Sequence, residues 1–214
     1  MFTKDYFINL GLFVLPAVII ILTLHEFGHA YAAYKMGDET AKREGRLSLN
    51  PLRHIDPLGM AVFIVSIVFA GFGFGWGKAV PVDFFALRNL RKGMVVVSLA
   101  GPGINFLTAL ALSPLYKLMY NSSVMQAGFS YFIVLVEYII IYSVYLGIFN
   151  LIPIPPLDGS KVLFAISKRP QRFLFDESMN WYGIIFLIIL ISIPFFNFGN
   201  LFLSIINPIL KFLL

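Results

Sequence analysis

Leu22-Thr23-Leu24-His25-Glu26-Phe27-Gly28-His29-Ala30-Tyr31 lies inside an apolar run that extends over about residues 6–34. His25, Glu26 and His29 are out of place in such a run. Hydrocarbon does not solvate a carboxylate or an imidazole, so these groups persist in a membrane segment only where they pair with something or perform a task. On a helix, positions i and i+4 share a face, so His25 and His29 can reach one metal ion. Glu26 follows the first histidine directly and stands close enough to take a proton from a water molecule activated there. Gly28 leaves room beside the group.

Composition makes the run a membrane span. The 214 residues are 59% hydrophobic and 13% charged, against about 45–50% and ~25% in soluble domains. Further apolar runs cover residues 60–76, 94–118 and 131–152, and a C-terminal region from Trp181 is divided by Pro194 and residues 197–200. Several reach the ~18–20 residues that cross a bilayer. The expected fold is an all-α polytopic membrane protein with a three-span core, a re-entrant hairpin and one or two further C-terminal membrane segments. A single membrane-embedded domain is expected over 1–214, its core at about 6–167 and its C-terminal segments at about 181–214. With no cysteine, a disulfide scaffold, a thiolate zinc site and a cysteine nucleophile are excluded. Ala30-Tyr31-Ala32 imitates a signal-peptidase site, but Lys4 is followed by Asp5, leaving no basic n-region, so the run reads as retained. The formal charge of +5 sits in loops. It fits topology determinants facing anionic lipid, and no nucleic-acid partner is expected.

Charge decides the run at 60–76, which is short and broken by Gly71, Gly73, Gly75 and Gly77. A full span would put Lys35, Lys42, Arg43, Arg46 and Arg53 on one side and Lys78, Arg88, Arg91 and Lys92 on the other, against the positive-inside rule. A hairpin that enters and returns puts all of them on one side, with Lys168, Arg169 and Arg172. The connector at 121–128 then lies opposite, with Lys117 at its edge as the basic residue nearby. Glycines suit a non-helical membrane loop whose backbone is satisfied by protein or water.

A catalytic zinc commonly takes three protein ligands. His54 is the remaining histidine, but it lies in the polar loop and reads better as an interfacial or solvated side chain. Asp158 is the better third ligand. It ends the stretch Asn150-Leu151-Ile152-Pro153-Ile154-Pro155-Pro156-Leu157-Asp158-Gly159, where the prolines break the span and free carbonyls beside what must be a protein-lined cavity. Asp158 could also serve as an N-cap for the segment that follows. With the hairpin topology, His25, His29 and Asp158 all fall near the basic end of their segments, so the candidate ligands share one leaflet.

H-E-x-x-H in a first span, N-x-x-P-x-P-x-L-D-G after a later one, and Gly101-Pro102-Gly103-Ile104-Asn105 between them resemble the site-2 protease family of intramembrane zinc metalloproteases. Arg46-Leu47-Ser48-Leu49-Asn50-Pro51 and Gly75-Trp76-Gly77-Lys78-Ala79-Val80-Pro81-Val82 look like its minimal bacterial branch. The chain leaves no stretch long enough for the PDZ or CBS modules of larger members, and Ala79 stands where proline is more usual. The resemblance covers roughly residues 22–159. It implies one Zn2+ held by His25, His29 and Asp158, Glu26 as catalytic base, and Asn105 and Asn150 at the substrate backbone or developing oxyanion. It also implies that the region 60–82 is a membrane-associated hairpin beside the substrate path. Glu137 has no counterpart in these motifs and reads as interfacial or cavity-facing.

The expected function is therefore hydrolysis of a peptide bond within or near a transmembrane segment of a partner protein, in a bacterial inner membrane, with the site toward the cytoplasm. The partners are a transmembrane protein or peptide substrate and the surrounding lipid. The rival is a transporter or proton relay that uses the same intramembrane His/Glu cluster. It predicts no stoichiometric zinc and no role for Asp158.

Overall fold

The computed structural model describes residues 4–70, 73, 75–120, 130–167, 178–192 and 197–214. Gly71, the connector at 121–128, the basic turn with Lys168, Arg169 and Arg172, and Pro194 lie outside the described residues. Every regular element among the described residues is helical. Helix α1 (Lys4–Asn9), a π-helical stretch (Leu10–Val14) and α2 (Leu15–Met36) run on as one rod. Pro16 has no N–H to return to the Leu12 carbonyl, and the π stretch lies directly over that gap. Residues Tyr6–Met36 are apolar and, at 31 residues, long enough to cross a bilayer. The rod stops at Gly37, whose φ of +111° only glycine adopts cheaply and whose N–H returns to the Ala33 and Tyr34 carbonyls.

The ambiguous apolar run is a helix that goes in and a chain that comes back. After the short α3 (Thr40–Arg43) and a 3-10 turn (Pro51–Arg53), α4 (Pro57–Ala70) has 14 residues. That is a rise of ~21 Å, short of the ~30 Å of a hydrocarbon core. The return leg is extended and lies back along α4: a Cβ on Gly59 would stand 2.9 Å from Cδ1 of Trp76, and one on Gly75 would stand 2.6 Å from Cβ of Phe63. Entry and exit therefore share one end. Hydrogen bonds join the two basic loops there. Arg46 Nη2 donates to the Lys78 carbonyl at 2.6 Å, the Lys78 N–H to the His54 carbonyl at 2.8 Å, and the Arg88 N–H to the Met36 carbonyl at 3.0 Å. This is the arrangement that charge counting favoured.

Two further long apolar helices, α5 (Leu90–Tyr120) and α6 (Ser130–Asn150), complete a set of three that can cross a membrane. Residues 151–157 are irregular, as three prolines require, and α7 (Asp158–Ile166) follows. Helix α5 is central and packs on α2, α6 and α7. Lipid tails are as apolar as leucine, so helices associate in a membrane by close packing rather than by hydrophobic force. The α2–α5 crossing illustrates this: a Cβ on Gly28 would lie 2.8 Å from the Ala100 carbonyl oxygen.

After α8 (Ser178–Ser192), α9 (Phe198–Leu213) packs its Ile206 and Leu213 into a cluster with Tyr116, Ile133, Val136, Ile140 and Val144 of α5 and α6. Its C-terminal carbonyls are received by α5, Leu213 by Ser113 Oγ at 2.5 Å and Phe212 by Lys117 Nζ at 2.6 Å. These are groups a helix end must satisfy, and satisfying them anchors α9 along the core.

Candidate metal centre

Helix α2 carries His25, Glu26 and His29 on its buried side, and the start of α7 brings Asp158 to them. His25 Nε2 lies 3.2 Å from Asp158 Oδ2, His29 Nε2 lies 3.0 Å from the same oxygen, and the two Nε2 atoms are 3.1 Å apart. Three lone-pair atoms thus form a nearly equilateral triangle. Ligands ~2.0–2.1 Å from a tetrahedral zinc stand roughly 3.3 Å from one another, so the spacing fits that ion. Among the described residues this is the cluster of His, Asp or Glu that could hold a metal. Among the described residues Asp158 Oδ2 is buried and receives no conventional hydrogen bond, and such an atom is costly unless a cation meets it.

The surroundings orient the ligand atoms. His29 Nδ1 lies 2.7 Å from the Val97 carbonyl of α5. A carbonyl only accepts, so Nδ1 carries the proton and Nε2 of the neutral ring offers its lone pair to the triangle. Asp158 Oδ1 accepts from Lys161 Nζ at 3.0 Å, one turn along α7. Burial alone would raise the Asp158 carboxyl, but the neighbouring His29, the contacts with both imidazoles and Lys161 together hold it well below the usual carboxylate range. Asp158 is not an N-cap: α7 begins at Asp158 itself, and Leu157 precedes it without a side-chain cap. On α5, Gly101 is where the histidines need space, because a Cβ there would stand 2.7 Å from His25 Cε1. Glu26 Oε2 accepts the Val80 backbone N–H at 2.7 Å, which leaves Oε1 for a proton.

A family model described as "Peptidase family M50" matches residues 113–193. YwhC of Bacillus subtilis (strain 168), named as a zinc metalloprotease, is 33% identical over 96% of this chain and 100% of its own length. The chain belongs to peptidase family M50, the site-2 proteases. Two proteins named as the zinc metalloprotease Rip2 are 31% identical to it. The one from Mycolicibacterium smegmatis matches over 89% of this chain and 71% of its own length, and the one from Mycobacterium tuberculosis (strain H37Rv) over 87% and 70%. No solved structure matches. As an M50 member the chain is a metalloendopeptidase, its cofactor is zinc, and its apolar helices make it an integral membrane protein.

Other residues singled out in the sequence fall as follows in this M50 chain. Asn105 is wholly buried (0% exposed), with Nδ2 3.2 Å from His25 Nδ1. Asn150, the last residue of α6, donates to the Leu146 carbonyl at 3.0 Å. Glu137 is half-buried on α6, outside the metal cluster. His54, read from the sequence as an interfacial or solvated side chain and not as the third ligand, is not solvated. It is fully buried, its Nε2 donates to the Ser48 carbonyl at 2.7 Å, and it takes no part in the cluster. Arg46, weighed in the sequence only as a loop charge and a motif letter, is also buried, with Nη2 donating to the Lys78 and Ala79 carbonyls at 2.6 and 3.2 Å. A cation counted with eight others in polar loops gives no sign that it is the one to be buried.

Proposed function

We propose that this chain is an intramembrane endopeptidase that hydrolyses a peptide bond within or beside a transmembrane segment of a partner protein. His25, His29 and Asp158 are its zinc ligands and Glu26 is its general base. The observation that carries the reading is the buried triangle formed by His25 Nε2, His29 Nε2 and Asp158 Oδ2 at 3.0–3.2 Å. A relay of histidines and Glu26 has no need of an aspartate from a distant helix at that distance, so the triangle favours metal hydrolysis over proton transport.

Bound zinc supplies Lewis acidity that makes water and a carbonyl reactive at neutral pH. The chain's own residues do the rest. Glu26 is held through Oε2 by the Val80 amide, so Oε1 is free to take the proton of the attacking water and hand it to the leaving amine. Asn150 ends α6 beside the proline break and is half-buried, suited to hold the substrate backbone or the oxyanion. A helical substrate hides its amides in its own hydrogen bonds, so it must unwind before cleavage. The extended chain at 75–82, described without strand partners, offers main-chain groups to receive it. The basic loops gathered at the metal end of the bundle support a site facing the cytoplasm of a bacterial inner membrane. The test is Glu26→Gln in purified protein. Loss of cleavage with one zinc per chain retained is expected; undiminished cleavage would end the proposal.

A further inference from the structure

The tautomer of His29 follows from the Val97 carbonyl, but that of His25 hangs on a side chain that can present either of two atoms. Asn105, on α5 four residues after Gly101, is fully buried, and its amide faces Nδ1 of His25 at 3.2 Å. Nδ1 is on the edge of the ring away from Nε2, and Nε2 is the atom in the triangle with His29 and Asp158. The imidazole therefore stands between the Asn105 amide and the ligand atoms. A group in that position acts on the ring before it can act on anything bound at the triangle.

The amide stands with Nδ2 toward Nδ1, and Oδ1 is buried without a partner among the described residues. Oxygen and nitrogen of an amide are related by a half-turn and are assigned from the hydrogen-bond network. With Nδ2 donating to Nδ1, the neutral ring must carry its proton on Nε2, where it blocks a metal. With Oδ1 turned to Nδ1, the ring proton sits on Nδ1 and the Nε2 lone pair is free, which is the state a metal needs. A turned amide also gives the orphaned oxygen a donor.

We propose that Asn105 is a positioning residue: its amide oxygen accepts the Nδ1–H of His25 and fixes that ring in its metal-binding tautomer. The inference rests on the reading of His25 as a zinc ligand. It differs from a role for Asn105 as a donor to the substrate or oxyanion, which needs the amide nitrogen.

The two roles separate in zinc affinity, measured on the full purified chain by competition with a chromophoric chelator. Asn105→Leu removes the acceptor while keeping the volume, and is expected to weaken zinc about 10- to 100-fold, as loss of such outer partners does. Asn105→Asp keeps an acceptor and has no donor, so it is expected to hold zinc about as tightly as the wild type, giving the carboxylate–histidine–zinc arrangement. A donor role predicts instead that both variants bind zinc normally. Zinc binding by Asn105→Leu at the wild-type affinity would overturn the inference. Should Asn105→Leu fail to fold, Asn105→Asp still decides when cleavage is read beside zinc affinity. The inference expects zinc affinity and cleavage both near the wild type. Loss of zinc affinity, or loss of cleavage with zinc still bound as a donor role demands, would overturn it. A wild-type chain that takes up no zinc would overturn the reading beneath it, a result distinct from both.

Discussion

The backbone N–H of Val80 donates to Glu26 Oε2 at 2.7 Å, tying a residue of the returning hairpin to a carboxylate on the first span across 54 positions of sequence. The contact gives the extended chain at 75–82 a task besides the proposed receipt of substrate: it holds the carboxylate still. A hydrogen bond to a charged acceptor contributes about 1.5–3 kcal/mol, and a base that wanders loses the alignment on which proton transfer depends. Val80→Pro deletes the donor and keeps the extended backbone. Cleavage is expected to slow by roughly 10- to 100-fold, with zinc still stoichiometric by elemental analysis.

Lys161 and Asp158 lead to a second expectation. With Oδ1 taken by Lys161 and Oδ2 facing both imidazoles, the carboxylate offers one oxygen to a metal and cannot swing round to offer two. Lys161→Met is expected to weaken zinc about tenfold or more, in the range usual for outer-shell partners, and Asp158→Asn to abolish stoichiometric zinc. The measurement is metal content after dialysis against a graded zinc buffer. Equal retention by all three proteins would remove Asp158 from the ligand set.

How much of this was legible in the sequence depends on the range of the interaction. His25, Glu26 and His29 are set by helix geometry within five residues, and a span makes their polarity conspicuous. Asp158 could be read because three prolines stop a helix where a carboxylate appears. The hairpin could be read because charge counting acts over the whole chain, and the Arg46–Lys78 and Arg88–Met36 contacts bear it out. What could not be read is which polar side chains are buried by tertiary packing. His54 looks interfacial or solvated because its neighbours are charged, yet it is buried, with its ring on the Ser48 carbonyl and its own carbonyl on the Lys78 N–H. Asn105 gives no local sign that its amide will face Nδ1 of His25 at 3.2 Å. The anchoring of α9 depends on Ser113 and Lys117, which no local pattern links to residues 212 and 213.

Gly101 is where that crossing becomes a chemical requirement. A Cβ at this position would press on both imidazoles, standing 2.7 Å from His25 Cε1. A retreat of α5 would open the close α2–α5 packing at Gly28 and Ala100, which is what holds such helices together in a membrane. Gly101→Ala is expected to cost about 1–3 kcal/mol of packing, concentrated at the rings. Zinc affinity should therefore fall while the helix content by circular dichroism stays near that of the wild type. A variant that binds zinc normally would mean that the helices part more easily than their contacts imply.

Arg46 supports a prediction that separates the extended chain from the metal. Its guanidinium is buried and bridges the carbonyls of Lys78 and Ala79, which fixes the backbone immediately before Val80 and so the donor that holds Glu26. Both contacts come from Nη2 alone, so the ammonium of lysine, a point charge on a more flexible stem, can replace them only in part, and methionine offers the carbonyls nothing. Arg46→Met leaves the two carbonyls without that donor, at about 1–3 kcal/mol for each that water does not reach, so the extended chain should loosen while the triangle on α2 and α7 is untouched. The expected outcome is cleavage reduced about tenfold or more, with zinc affinity unchanged and faster hydrogen exchange at the amides of Lys78, Ala79, Val80 and Val82. Arg46→Lys should fall between. Were zinc lost along with cleavage, the basic loops would be shaping the metal centre itself rather than the chain that lies across it.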